Sequence, residues 1–212
     1  MNKRILHTTL ILLCAAAAGC STTKRLASDQ VLYTGVKKME VEPMDPAQKI
    51  PGDVVSEVEE PLSVKPNNPL YSPYIRTPFP VGLWAYNYLY TEKESGFKHW
   101  LYKKLAKKPV LISDVKPEVR TKMVRDILDN NGYFGSTATY ELLEKKNPKK
   151  ARISYDVRVA APWTYDSIAF PEAVCPITRT IDSLKCSSLL HVGSRYDVDT
   201  LTDERIRITN HL

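Results

Sequence analysis

The sequence predicts an α+β protein, with helices packed on one face of a small mixed sheet and a proline-rich insertion. Three observations carry that expectation. Residues 151–159 alternate: Ala151, Ile153, Tyr155, Val157 and Val159 face one way, and Arg152, Ser154, Asp156 and Arg158 the other. Residues 116–129 place Val119, Met123, Val124, Ile127 and Leu128 on one apolar helical stripe. A charged turn centred on Asn147-Pro148 separates two period-two runs and marks a hairpin. One apolar face per strand needs one covering layer, so the helices belong on one side.

The chain begins with a segment of a different kind. Lys3 and Arg4 precede an uncharged apolar run, residues 6–18, that ends in Ala17-Ala18-Gly19-Cys20. The run is shorter than the roughly 20 apolar residues a bilayer span needs. Small residues before a cysteine make residues 1–19 read as a lipoprotein signal peptide, with Cys20 the lipidated first residue of the mature chain. Two or more acyl chains would anchor it stably, palmitate among them, where one would not. The full chain carries 30 basic and 24 acidic side chains, net +6. Lys3 and Arg4 leave with the signal, so the mature net charge is +4, mildly basic and not a nucleic-acid footprint.

Residues 20–30 are polar and read as a tether. Residues 31–42 read as a strand, β-branched and aromatic, with Lys38, Glu40 and Glu42 alternating with Met39 and Val41. A short helix is expected over 52–60. Residues 61–80 hold six prolines and read as an irregular connector. The aromatic run 84–90 is compatible with a helical turn or a strand. Residues 96–108 read as a helix with Phe97, Trp100, Leu101 and Leu105 on one face and Lys98, Lys103 and Lys107 mostly off it. That helix either lies on an anionic membrane surface or packs on the domain. Pro117 suits the first turn of the next helix, and Asn130-Asn131-Gly132 stops it, with Gly132 free to take the left-handed conformation.

The first hairpin strand, 133–143, places Phe134, Ala138, Tyr140 and Leu142 on one face and Thr137, Thr139 and Glu141 on the other. Beyond Ala161-Pro162, a strand is expected over 165–170, a helix over 177–191 and another over 201–212. This order echoes the earlier one as a second module without its hairpin. Cys175 and Cys186 remain in a chain bound for an oxidising compartment. A bridge between them would contribute about 3 kcal/mol by loop closure; two free thiols are the alternative.

The helix ending in Asn131-Gly132-Tyr133-Phe134, the hairpin and the 165–170 segment together resemble the POTRA domain. The lipobox, the LYTGVKKMEVE stretch and the LWAYNYLY and GFKHWLYKKLAKKP segments resemble lipidated TamA-like members of the BamA/TamA outer-membrane assembly superfamily. The resemblance implies modules of order strand, helix, helix, strand, strand. It divides the chain into a first POTRA-like domain over 31–163, with an insertion at about 61–109, and an incomplete second over 164–212. It implies a periplasmic role in outer-membrane protein assembly or envelope translocation, with outer-membrane protein clients and a TamB-like partner. Ser21, rather than Asp, after the lipid site favours the outer membrane. Such proteins continue into a barrel of eight or more strands, about 9–11 residues each. No such strands occur here, which suggests a fragment or a shortened product.

Chemistry points the same way. There is no nucleophile elbow, zinc-protease helix, phosphate loop or paired-cysteine motif. His99, His191 and His211 lack ligand-spaced partners, and Asp126 and Asp129 read as a solvated helix face. No catalytic residue, metal or cofactor is expected. The POTRA resemblance implies Ser136, Thr137, Thr139 and Glu141 as the partner-binding residues, on the first strand of the hairpin, where a client strand would add to the sheet edge. The alternative is a ligand-binding envelope lipoprotein, with aromatic residues of 71–100 lining a glycan or lipid site.

Overall fold

A computed structural model describes residues 21–70, 72–93 and 95–212. The signal segment and Cys20 lie outside the described residues. The architecture is α+β. In chain order it runs β1 (Leu32–Pro43), α1 (Gly52–Leu62), β2 (Pro69–Leu70), β3 (Ser72–Arg76), α2 (Val81–Tyr88) and α3 (Phe97–Leu105). Then come α4 (Ile112–Val115), α5 (Pro117–Asn130), β4 (Thr137–Glu144), β5 (Lys150–Val159), α6 (Pro176–Ser183) and α7 (Val198–Thr209). The main sheet has the order β1-β5-β4.

That sheet is mixed. The Leu32 N–H donates to the Lys149 carbonyl at 2.9 Å, and the Met44 N–H to the Val159 carbonyl at 2.8 Å. Between them the Thr34 hydroxyl donates to the Ala151 carbonyl at 2.7 Å. Both strands advance together, so β1 and β5 are parallel. Residues 145–149 join β4 to β5 and are too few for a crossover, so that pair is antiparallel.

The chain divides into two interleaved units. One holds described residues 21–38, Ser63–Pro117 and Tyr140–Ser154. Its buried apolar residues include Leu32, Tyr33, Val36, Val115, Ala151 and Ile153. Leu26, Leu32 and Leu83 form a cluster against which Leu111 packs. The segment read as a tether is fastened to α2. Asn87 is buried, accepts from the Arg25 N–H at 3.0 Å and donates to the Thr22 carbonyl at 3.2 Å. The Arg25 guanidinium sits 3.7 Å from the centre of the Tyr90 ring. Residues 61–80 are not wholly irregular: β2 and β3 pair antiparallel, with Pro69 opposite Arg76. Proline is tolerated there because both strands of a two-stranded ribbon are edges.

The other unit holds Met39–Leu62, Glu118–Thr139 and Tyr155–Leu212. In α1 the buried residues Val54, Val58 and Leu62 repeat every four positions, one face of a helix. In α5 the buried positions are Pro117, Thr121, Val124 and Leu128. Val119 and Met123, expected on that stripe, are 52% and 47% exposed. The helix is therefore rotated from the expected stripe: a polar Thr121 occupies the core face, its hydroxyl donating to the Glu118 carbonyl at 2.9 Å. The helix ends as expected. Gly132 has φ +81°, its N–H donates to the Asp129 carbonyl at 3.0 Å, and the Tyr133 N–H donates to the Leu128 carbonyl at 2.8 Å. These two bonds define a Schellman cap, and buried Tyr133 and Leu128 supply its apolar positions.

The strand expected over 165–170 does not form. Among the described residues that stretch finds no ladder, only an isolated bridge just before it between Thr164 and Arg195. The pairing there is short: the Tyr196 N–H donates to the Trp163 carbonyl at 2.8 Å and the Tyr165 N–H to the Ser194 carbonyl at 3.0 Å. The helix expected over 177–191 stops at Ser183, followed by a 3-10 turn, Lys185–Ser187.

Buried Glu204 on α7 ties this region together. Its carboxylate accepts from Arg207 Nε at 2.8 Å, Ser188 Oγ at 3.0 Å and the Leu189 N–H at 3.1 Å. The Arg207 hydrogen bonds, helped by those from Leu189 and Ser188, lower its pKa from 4.5 to about 2 against the opposing effect of burial. The unfolded carboxylate takes up its proton near 4.5, whereas the folded one resists until about 2. This group's stabilisation is therefore complete above the upper value and is lost as pH falls through the window. Thermal unfolding of the parent and of Glu204→Gln should differ most near neutrality and converge in acid. An offset independent of pH would contradict this assignment.

Candidate functional site

The sheet order leaves β1 and β4 at the edges. They differ in cover. The start of β1 is met on its outer side by residues 110–112: the Tyr33 N–H donates to the Val110 carbonyl at 2.9 Å and the Ile112 N–H to the Val31 carbonyl at 3.0 Å. Among the described residues no strand pairs with the outer side of β4. The Lys145 N–H, just past β4, donates to the Lys150 carbonyl at 3.1 Å. Strand periodicity then turns the backbone groups of the odd-numbered β4 residues toward β5. Those of Ala138, Tyr140, Leu142 and Glu144 turn outward. The Thr139 hydroxyl, 3.4 Å from the Asp156 carbonyl, fits that register.

The side chains beside this edge are open. Ala138 is buried, but Tyr140 and Leu142 on the same face are 38% and 45% exposed. The shared face predicted for them is correct; its cover is not, because an edge strand lies at the margin of the core. Leu142 and Glu144 line a groove of about 440 Å³ with Val31, Ile112, Pro148 and Ala151. The arrangement offers backbone donors and acceptors beside a partly apolar trough, which suits addition of an extended segment.

The expected partner-binding residues divide. Thr137, Thr139 and Glu141 are exposed on β4. Ser136 is buried and engaged: its hydroxyl donates to the Tyr133 carbonyl at 2.6 Å and accepts from the Ala160 N–H at 2.9 Å. It braces the turn before β4 and does not offer itself to a partner. The outward-facing residues Tyr140 and Leu142 were missed as edge contacts because they read as core.

Cys175 and Cys186 are exposed free thiols, so the expected bridge is absent. Cys175 caps the start of α6, and Cys186 lies in the 3-10 turn beyond its end. A helix of that length separates its ends by about 12 Å, well over the roughly 6 Å between the α-carbons of a bridged pair. A hydrogen bond from the Thr178 hydroxyl lowers the Cys175 pKa.

No residue of α3 is buried, and Phe97 and Trp100 stack at 5.8 Å on its surface. His99 is half-buried, and His191 and His211 are exposed. Among the described residues no group of three or more His, Cys, Asp or Glu is placed to hold a metal ion. No helix among them is long and apolar enough to cross a membrane. Comparison with family models, curated proteins and solved structures returns no match to this chain.

Proposed function

We propose that the chain is a lipid-anchored periplasmic scaffold of POTRA type, which takes part in outer-membrane protein assembly or envelope translocation. It holds client or partner strands by β-augmentation along the outer side of β4. The observation that carries the reading is this strand's unpaired edge, flanked by the Leu142 groove. Two features support it. With residues 63–111 and the four-residue helix α4 set aside, the order from β1 through α1, α5 and β4 to β5 is strand, helix, helix, strand, strand. The start of the opposite edge is already met by residues 110–112, which closes its first residues to a further strand. Lipid on Cys20 would raise the local concentration of this edge at the membrane. A TamB-like bridge and nascent barrel proteins are the proposed partners.

The test is a titration with strand-forming peptides from outer-membrane barrels, followed by amide shifts. Saturable shifts should centre on 138–144. Tyr140→Pro removes an outward N–H and places a ring on the edge, a change edge strands tolerate. It should weaken binding at least about tenfold, the loss of one or two net backbone hydrogen bonds. Leu142→Lys should weaken binding as well, by charging the trough. Shifts absent from β4, or unaffected by both substitutions, would sink the proposal.

One observation favours a second reading, a lipoprotein that binds glycan or lipid on an aromatic surface: the stacked, exposed pair Phe97 and Trp100. The same peptide titration separates the two, because only the first requires a response along β4.

A further inference from the structure

We propose that the cleft formed by the end of β3 and the start of β5 binds a phosphate group, borne by a lipid headgroup or a small soluble phosphate ester. The cleft encloses about 490 Å³, enough for a phosphate and the alcohol it esterifies. Its charged lining residues are Arg76, Lys150 and Arg152, and no carboxylate lines it. The whole site lies within one unit, and none of its lining residues is on β4.

Three lining residues carry a buried polar atom with no hydrogen-bond partner: Arg76 Nε, Arg152 Nε and Thr22 Oγ1. Buried donors are seldom left unmade, and a guanidinium N–H is costly to leave so. Asn68 is already engaged, its amide donating to the Thr77 carbonyl at 2.6 Å. Arg152 spends one Nη2 contact, at 3.5 Å, on the Tyr74 carbonyl. Two of these three free groups are guanidinium N–H donors from separate strands, and the third is a neutral hydroxyl.

Charge makes the same demand. Lys145 joins the three lining cations, and among the described residues none of the four has an ion pair. Burial, and then Arg76, Arg152 and Lys150, push the Lys145 pKa down to about 8. Burial lowers Arg76 and Lys150 too, with repulsion from Arg152 and Arg76 respectively. An oxyanion of charge two relieves this repulsion and accepts from both guanidinium forks at once, which one carboxylate does less completely.

The experiment follows the Nε–Hε signals of Arg76 and Arg152 in the full chain, held in nonionic detergent. The probes are inorganic phosphate, glycerol 3-phosphate and dihexanoyl phosphatidic acid, with dihexanoyl phosphatidylcholine and chloride as controls. Both signals should shift saturably with the phosphates, and chloride should leave them in place. Arg152→Lys keeps the charge but loses the fork, and should weaken binding about tenfold. Lys104→Gln, on exposed α3, should change it less than about twofold. Saturation by phosphatidic acid at about tenfold lower concentration than by glycerol 3-phosphate assigns the phosphate to a headgroup. Equal saturation assigns it to a soluble ester. Shifts that track ionic strength alone, or that Arg152→Lys leaves unchanged, overturn the site; if Arg152→Lys misfolds, Lys150→Gln serves in its place.

Discussion

Replacing Gly132 with valine is expected to destabilise the unit that holds α5 and α7 by about 3 kcal/mol or more. Two independent effects add. At φ +81° an L side chain is strained, at about 1–2 kcal/mol. A Cβ would also stand 2.5 Å from the Tyr196 carbonyl oxygen, closer than side-chain carbons come, and backbone has no easy retreat. The adjoining contacts would go together. Arg195 donates to the Tyr133 hydroxyl at 3.1 Å, and Phe134 packs edge-on to Trp163 at 5.2 Å and tilted against Tyr196 at 5.3 Å. Since whole domains are stable by only about 5–15 kcal/mol, a loss of this size shifts the urea midpoint far. Amides of 131–136 and 193–197 should lose exchange protection first. A change under about 1 kcal/mol would mean that the close approach is absent in solution.

Gly35→Ala should act as strongly on the other unit. Gly35 has φ +105°, and an added Cβ would meet the Pro73 carbonyl oxygen at 2.5 Å and the Pro66 ring at 3.6 Å. Its neighbours Thr34 and Val36 are fully buried, so the strand cannot move outward without uncovering them. The expected cost is again about 3 kcal/mol, from strain and overpacking. Exchange protection should fall at 32–36 and 72–76 before it falls at 118–130. Uniform loss across the chain would instead mean that the two units unfold as one.

The expectations that held were those set by local geometry. The Gly132 stop was legible because a left-handed C-cap after an amphipathic helix selects glycine, and the alternation of 151–159 because β5 is central and covered. The failures arose where periodicity names a face but not its cover. Tyr140 and Leu142 fit the apolar pattern, yet they lie at the margin; Val119 and Met123 fit a stripe that the actual core, centred on Val124 and Leu128, leaves outside. Prolines concealed β2 and β3, since a ribbon with two edges does not exclude them. The Arg76 and Arg152 cluster carries no sequence signal at all: its members stand far apart in the chain, and a net charge of +6 says nothing of where cations converge.

The parallel pairing of β1 with β5 has a consequence for how the chain is made. Thr34 and Ala151, which bond across that seam, are 117 positions apart. During synthesis the first strand emerges with its proper neighbour still unmade. Closing so long a loop is slow, and contacts of this separation form late. Until then the apolar start of β1 is open to intermolecular association, guarded by the charges of Lys37, Lys38, Glu40 and Glu42 that follow it. Folding of this protein is thus timed by the arrival of its hairpin, and holdase chaperones have their longest opportunity at its amino-terminal end.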